Sequence, residues 1–344
     1  MKTKKKEKRQ KEKKKKKFKP LRYIGYLLYI AVFLGVTTPL VLFFGPYENT
    51  RKAFLQTLLA TRHAYLVTDN FSQDTINELL GIENNVTALA SEPEEKLDTD
   101  KIDIKYNSST EISRYNVRTE KYDAYILEIK NPLSIKVAMT KYLGKLGQKT
   151  SEMAEEHNAV AAINGGAFID KSSDGTVYAG TGAEPGGFVI SEGRIIYPTS
   201  NVDMNKVENV VAFTAEGKLI VGDHSLKELQ ALNVKEAMCF RKPNIIINGK
   251  RQVKDKMSEG FNPRTAVGQK ADGTVIFLVI DGRKINKVGA TLYDVQEIMM
   301  DRGAINAGAL DGGYSSTMYY KGEVINSPNA WNGERSVATA FYVE

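Results

Sequence analysis

The chain has 344 residues, 26% of them charged, with a formal net charge of +7. That length suits one or two domains with a sizeable core. The positive charge sits in residues 1–20, which hold twelve lysines and Arg9 against only Glu7 and Glu12; the rest is net acidic, which excludes the broad basic surface a nucleic-acid partner requires.

In chain order, residues 1–20 form a basic, low-complexity tail. Tyr23 to Phe44 then runs without a charge, and about 20 apolar residues suffice to cross a bilayer. A cleavable signal would have a shorter apolar core, about 7–15 residues, and a small-residue cleavage site; the sequence FFGPYEN offers no such site. Residues 21–44 are therefore expected to form a single transmembrane helix. The lysine-rich flank orients it, with the tail cytoplasmic and the domain beyond Phe44 extracellular at the cell membrane. Residues 45–101 read as a helical stalk and linker. Phe54, Leu55, Leu58 and Leu59 give Arg51–Leu66 a helical apolar face. Ser72 caps a second short helix that Gly81 closes, and Glu92–Lys101 is a polar linker.

From residue 102 to 344 the pattern changes to short strands and turns. The expected fold is α/β or α+β, a mixed β-sheet with flanking helices. Tyr122–Ile129 and Ile135–Met139 are rich in β-forming residues. Thr150 or Ser151 caps a helix running to about His157, and the strand Ala159–Ile163 follows. Lys171–Gly187 is a Gly-rich loop. Gly187–Tyr197 and Val210–Val221 read as hairpins turning at Glu192-Gly193 and Glu216-Gly217. Ile245–Ile247 and Val275–Ile280 are strands, Leu292–Arg302 a helix capped by Thr291 and ended by Gly303. Ala304–Leu310 is a buried strand and Val337–Val343 the last one. The single cysteine, Cys239, forms no intramolecular disulfide, so the domain depends on its core.

Three strands end alike, in Asn164-Gly165-Gly166, Asp281-Gly282-Arg283 and Asp311-Gly312-Gly313. Ligands of α/β sheets gather at the carboxyl ends of strands, so these junctions are expected to line one cleft. Their glycines are expected to let a substrate approach the backbone. INGGAF, NPRTAVG, DGR, ALDGGYSSTM and ERSVATAF, in this order, resemble the phosphodiester glycosidase family. The resemblance runs from Tyr122 to Glu344. It implies a hydrolase that cleaves a sugar 1-phosphodiester at the anomeric carbon. Bacterial members are associated with exopolysaccharide, which implies a glycosyl-phosphate or polysaccharide substrate in the cell envelope. Two positions depart from the family pattern: Ala167 replaces a usual aromatic, and Tyr314 replaces a third glycine.

The catalytic residues implied are Asp311, Asp281, Arg264 and Asn164. Asp311 is the first choice, and Asp281 the second, to stabilise an oxocarbenium-like centre or activate water. Arg264 would hold phosphate oxygens with its planar fork, unless it forms a structural ion pair with Asp281 or Asp311. Asn164 would orient a sugar hydroxyl or the water. The substrate-binding set is Gly165, Gly166, Thr265, Arg283, Gly312, Gly313, Ser315, Ser316 and Arg335. Ser315, Ser316 and the amides of the glycine turns are expected to bind phosphate oxygens. No cofactor is required by the sequence; a divalent cation shared by Asp281 and Asp311 is the one metal site the residues suggest. A non-catalytic factor that binds phosphate-linked glycans, or a transferase to an acceptor other than water, would use the same residues. The expected topology has a direct test: protease added to intact cells removes the domain beyond Phe44, and a protected domain overturns the assignment.

Overall fold

The computed structural model describes residues 20–46, scattered positions between 51 and 79, and residues 97–169, 181–242, 244–284, 287–328 and 333–344. The basic tail, the two stalk helices, the linker to residue 96 and residues 171–180 of the Gly-rich loop lie wholly or largely outside the described residues. The chain divides into two compact units, Met1–Leu59 with Tyr65–Asn84, and Ala60–Ala64 with Asn85–Glu344. In the first unit, helix α1 (Pro20–Phe44) carries a segment, Tyr23–Val41, long and apolar enough to cross a membrane. Its apolar side chains are exposed, as a lipid-facing helix requires. Thr37 donates its hydroxyl to the Phe33 carbonyl one turn back, at 2.7 Å, so this polar group is satisfied within the helix.

The second unit is α+β. Its largest sheet has the order β1 (Ile112–Arg118), β2 (Asp123–Ile129), β15 (Val275–Ile280), β14 (Arg264–Lys270), β16 (Ala304–Leu310), β12 (Ile246–Ile247) and β13 (Lys250–Arg251). A second sheet runs β10 (Leu219–Ser225), β9 (Val207–Thr214), β11 (Val234–Cys239), β7 (Val189–Ser191) and β8 (Arg194–Tyr197). A third runs β18 (Glu323–Val324), β17 (Met318–Tyr320), β4 (Ala161–Asn164), β19 (Thr339–Val343) and β3 (Ile135–Met139). A ribbon pairs β5 (Phe168–Ile169) with β6 (Glu184–Pro185). Every strand pair among the described residues is antiparallel, so the sheets are not mixed in direction as expected. Adjacent parallel strands need a helical crossover, and here each crossover helix passes over an intervening antiparallel strand: α2 (Thr150–Glu156) from β3 over β19 to β4, α3 (Leu226–Ala231) from β10 over β9 to β11, and α4 (Leu292–Asp301) from β15 over β14 to β16.

The three sheets enclose one core. Leu127, Phe277, Phe213, Met318 and Phe341 meet there from all three sheets, and the Phe341 ring meets Phe213 edge-on at 5.7 Å. Each sheet covers its other face with a helix: α4 on the first, α3 (Leu226–Ala231) on the second, α2 (Thr150–Glu156) on the third. This explains the unbroken apolar run VIFLVI in β15. Val275, Phe277 and Val279 point into the shared core, and Ile276, Leu278 and Ile280 point towards α4. A strand buried on both faces has no polar side to alternate with.

Helix α2 starts at Thr150, with Lys149 at its N-cap rather than Thr150 or Ser151. The first-turn donors are held from afar instead: Glu334 accepts the Ser151 amide at 3.1 Å and also its hydroxyl. A carboxylate at a helix N-terminus satisfies orphan N–H groups and suits the dipole. His157, at the other end of α2, stacks on Tyr342 with ring centroids 4.4 Å apart and is structural.

Glu236 is buried in β11 and joins the second sheet to the third. One carboxylate oxygen accepts the Val137 amide of β3 at 2.8 Å, and the other accepts the Glu192 amide of the β7–β8 turn at 3.0 Å. Burial raises its pKa above the ordinary carboxylate value. A raised folded-state pKa favours folding while the group is neutral, and this contribution is lost as pH rises from the unfolded value through the folded one. Glu236→Gln would set an amide N–H₂ against one of the two backbone donors and cost about 1–3 kcal/mol. Thermal unfolding followed by circular dichroism should show a lower Tm for the variant, with the gap to the parent narrowing from pH 4 to pH 7. An equal gap at both values would remove Glu236 from the pH response.

Candidate active site

β15 and β16 both flank β14, with Ile280 opposite Arg264 and Leu310 opposite Thr265. The next residues, Asp281 and Asp311, therefore leave the sheet on either side of the start of β14. The third sheet contributes Asn164, at the end of β4. Asn164 is completely buried. Its Nδ2 donates to the Asp311 carbonyl at 2.6 Å, and its Oδ1 accepts the Thr265 hydroxyl at 2.7 Å and the Thr317 amide at 3.1 Å. The Asp311 amide donates to the Gly165 carbonyl at 3.0 Å.

The glycines beside these residues are filled from within the chain. A Cβ on Gly165 would lie 2.3 Å from Thr339 Oγ1, one on Gly166 2.2 Å from the Cys239 carbonyl oxygen, and one on Gly312 2.6 Å from that of Pro263. Their role is close packing of strand ends, not the opening to substrate expected from sequence. The turn amides are occupied too: Gly165 and Gly166 donate to Thr339, Gly313 to the Pro263 carbonyl, Ser315 to Gly312 and Ser316 to Gly313. These amides are not open to phosphate oxygens. The hydroxyls of Ser315 and Ser316 are buried and make no hydrogen bond.

The two acids differ in environment. Asp281 is 2% exposed. Its oxygens accept Asn326 Nδ2 at 2.9 Å, the Ser327 amide at 3.0 and 3.2 Å, and Lys284 Nζ at 3.1 Å. Three donor groups, Asn326, the Ser327 amide and Lys284, thus engage both oxygens of Asp281. Among the described residues no group of three or more His, Cys, Asp or Glu is placed to hold a metal. Asp311 is half-buried and lies within the electrostatic reach of Arg283.

The arginines divide likewise. Arg264 is buried and clamps the preceding turn. Nε donates to the Ala290 carbonyl at 3.0 Å, Nη1 to Glu259 Oε2 at 2.8 Å, and Nη2 to the carbonyls of Glu259 and Gly260. Four of its five N–H groups are so engaged, and the ion pair is with Glu259, not with Asp281 or Asp311. Glu259 Oε2 also takes Arg241 Nη2 at 3.0 Å. Burial pushes the Arg264 pKa down, Glu259 opposes this, and the charges of Arg241 and Arg283 push the same way as burial. Arg264 and Arg241 thus share the Glu259 carboxylate. Arg283 sits at φ +54°, donates from Nε and Nη2 to Asn262 Oδ1 at 3.1 and 2.9 Å, and lies 4.7 Å from the Tyr314 ring centroid. Burial lowers its pKa first, against Tyr314 and Asp311. Arg335 stands over the Phe168 ring at 4.6 Å, beside the Asn164 motif.

The sequence pattern of the phosphodiester glycosidase family matches residues 157–344. The chain belongs to this family. It is 42% identical over 66 residues to the SPbeta prophage-derived uncharacterized protein YomE of Bacillus subtilis (strain 168), covering 19% of this chain and 10% of that protein. It is 33% identical over 89 residues to the N-acetylglucosamine-1-phosphodiester alpha-N-acetylglucosaminidase of Bos taurus, covering 24% of this chain and 17% of that protein. The chain thus spans less than a fifth of the length of either relative. The structure of the zebrafish N-acetylglucosamine-1-phosphodiester alpha-N-acetylglucosaminidase catalytic domain, auto-inhibited by its pro-peptide, aligns with a TM-score of 0.58 at 18% identity. That match covers 71% of this chain and 86% of the zebrafish one, and it shows a shared fold.

Within the family pattern, the two departures have physical consequences here. Tyr314 stacks its ring on Arg283 and so holds that guanidinium beside Gly313. Ala167 lines a cleft together with Gly186, Glu208, Asp223 and Arg241. The residues the sequence did not single out are Glu259, Asn262 and Asn326. Asn262 lies inside NPRTAVG and was visible there, whereas Glu259 and Asn326 lie in loops without periodicity. If Arg264 is a clamp, Arg264→Lys loses its charged hydrogen bonds at a cost of about 1.5–3 kcal/mol each before any relaxation. The variant should show a clear fall in Tm. An unchanged Tm with a raised KM would return Arg264 to direct phosphate contact.

Proposed function

We propose that this chain is a membrane-anchored, extracellular hydrolase that cleaves glycosyl-1-phosphodiester bonds in envelope or exopolysaccharide glycans. Family membership supports a hydrolase-type function, and the uncharged Tyr23–Val41 segment behind a lysine-rich flank supports the anchor and its orientation. One observation favours a phosphodiester over an ordinary glycoside. Of the two motif acids, Asp281 is held by four hydrogen bonds, whereas Asp311 is half-exposed beside Arg283. Ordinary glycosidases need two working carboxyl groups, one of them to protonate a poor leaving group. A phosphomonoester leaves without that proton, so one carboxylate suffices.

In this reading Asp311 faces the anomeric carbon and stabilises its developing positive charge or activates water. The bond between the anomeric carbon and the phosphate oxygen breaks, and its electron pair leaves with the phosphomonoester. The water oxygen bonds to carbon, and its proton passes to Asp311 and then to solvent. Arg283, held by Asn262 and Tyr314, takes the phosphate charge together with Arg241. Asn164, Thr265 and the glycine turns position Asp311 and do not touch substrate. The substrate named for the bovine relative, an N-acetylglucosamine-1-phosphodiester, is the first to try.

The full-length protein in detergent should release reducing sugar from a panel of UDP-sugars and glycosyl-1-phosphodiesters. Asp311→Asn should lower kcat by roughly 10²–10⁴, the range for an acid–base group, with little change in Tm. Asp281→Asn should lower Tm through the loss of Lys284 and Ser327 contacts, with a smaller effect on kcat in the folded fraction. The opposite pattern reverses the two roles. Glycan binding without turnover by the parent protein would favour the non-catalytic factor.

A further inference from the structure

On the β15 side of the site a row of cations crosses the end of the first sheet. Arg118 stands opposite Asp123 in the β1–β2 pair, and the Asp281 amide donates to the Asp123 carbonyl at 2.9 Å. Arg118, Asp123 and Asp281 therefore lie at one level, and two strand spacings put about 10 Å between the first and the last. Glycines press the next segments onto this edge. A Cβ on Gly282 would lie 2.6 Å from Gly289 Cα, and one on Gly289 2.5 Å from the Asn262 carbonyl oxygen. The Arg283 amide donates to the Val288 carbonyl at 3.0 Å, and the Gly289 amide to the Lys121 carbonyl at 2.9 Å. Arg283 and Lys121 thus flank the consecutive residues Val288 and Gly289. Lys121 Nζ lies 5.2 Å from the ring centroid of Phe261, the chain neighbour of the Asn262 that holds Arg283.

We propose that this row binds a second phosphate of the substrate, so that the preferred substrate is a phosphate-linked glycan with phosphates repeated along its chain. The proposal rests on the reading of Arg283 as the cation for the scissile phosphate and extends from it towards β1. Residues 118–123 and 281–289 hold five cations, Arg118, Lys121, Arg283, Lys284 and Lys287, against three acids, Glu120, Asp123 and Asp281, although the chain beyond residue 20 is net acidic. Two of the acids are occupied from within the row. Lys284 pairs with Asp281 at 3.1 Å and Lys287 with Asp123 at 3.2 Å, and Lys287 also donates to the Thr119 carbonyl. Of the remaining charges in these two segments, Arg118, Lys121 and Arg283 outnumber Glu120. Arg118 and Lys121 are exposed. Cations gathered along one edge repel one another, and an anion lying across them removes that repulsion. A row of one sign also raises the local concentration of a polyanion. A single phosphodiester held at Arg283 leaves Arg118 and Lys121 unused, whereas a neighbouring phosphate on the same molecule reaches them.

The test uses the full-length protein in detergent and reads individual lysines. Inorganic tripolyphosphate and orthophosphate are the probes, and acetylation footprinting by mass spectrometry scores Lys121 apart from the basic tail. Half-protection of Lys121 should need at least tenfold less tripolyphosphate than orthophosphate at low salt, and the advantage should shrink as salt rises. Arg118→Gln should raise the tripolyphosphate midpoint several-fold. Lys227→Gln, the same change of charge at an exposed residue of α3, should leave it where it is. Equal midpoints for the two anions in the parent protein, or equal effects of the two variants, overturn the proposal. Turnover is read separately on three glycosyl-1-phosphate esters of ethylene glycol, with no second phosphate, with one on the sugar or with one on the glycol. The better of the two doubly phosphorylated esters should exceed the plain one at least tenfold in kcat/KM, and Arg118→Gln should cut that ratio several-fold. If no ester is cleaved but the footprint preference holds, the row stands and the hydrolase reading falls. If the esters are cleaved and neither second phosphate helps, the hydrolase reading stands and the row falls.

Discussion

The Asn164 side chain is the joint on which the site depends. It lies at the end of β4 in the third sheet, yet two of its three hydrogen bonds reach the first sheet, at Thr265 and at the Asp311 carbonyl. The third fixes Thr317 on the way into β17. A buried amide that satisfies donors and an acceptor at once specifies a single arrangement, because any displacement leaves polar groups unpaired in a low-dielectric interior. No apolar residue could hold the ends of β4, β14 and β16 in this register. The position of Asp311 is thus set by its own backbone, through Asn164 and the Gly165 carbonyl, while its side chain stays half-exposed.

The same economy governs the glycines. Gly165, Gly166 and Gly312 stand where Thr339, Cys239 and Pro263 come within 2.2–2.6 Å of a would-be Cβ. The strand ends can converge only because these positions lack side chains. Convergence then engages the amides of Gly165, Gly166, Gly313, Ser315 and Ser316 in internal bonds. Positive charge is available from side chains, and the charges of Arg241 and Arg283 act against that of Arg264. The buried Arg264 acts beneath as a clamp. It fixes the Glu259–Gly260 turn, and through Glu259 it reaches Arg241 at the mouth of the neighbouring cleft.

Much of the fold was legible in the sequence. Ile135–Met139, Val275–Ile280 and Ala304–Leu310 are strands at the bounds their composition suggests, because an apolar run between turn residues has few other homes. The turn at Glu192-Gly193 has both residues at positive φ, as a tight hairpin demands. Strand direction was not legible. β15, α4 and β16 follow one another as in a parallel α/β unit, and only the insertion of β14 between the two strands makes the pairing antiparallel. The exposed edge strand β1 also carries too little apolar pattern to stand out. In the site, motif residues were visible as types but not as environments. Arg264 and Asp281 are equally plausible ligands on paper. Their partners, Glu259 for Arg264 and Asn326, Ser327 and Lys284 for Asp281, come from loops whose contacts depend on tertiary placement.

That division of the motif residues constrains the chemistry more than the motifs do by themselves. Ordinary glycosidases work with two carboxyl groups, one of which protonates the leaving group. Here one acid is fixed by a lysine, an asparagine and a backbone amide, so protonating a poor leaving group would require Asp281 to give up bonds that hold the Asn326–Ser327 loop. The remaining carboxylate lies beside a guanidinium that Asn262 and Tyr314 hold in place. Such a pair suits a substrate that carries its own negative charge next to the bond being broken and leaves as a stable anion. On the proposed reading, a phosphate-linked glycosyl group would ask of the half-exposed residues only one carboxylate and one cation.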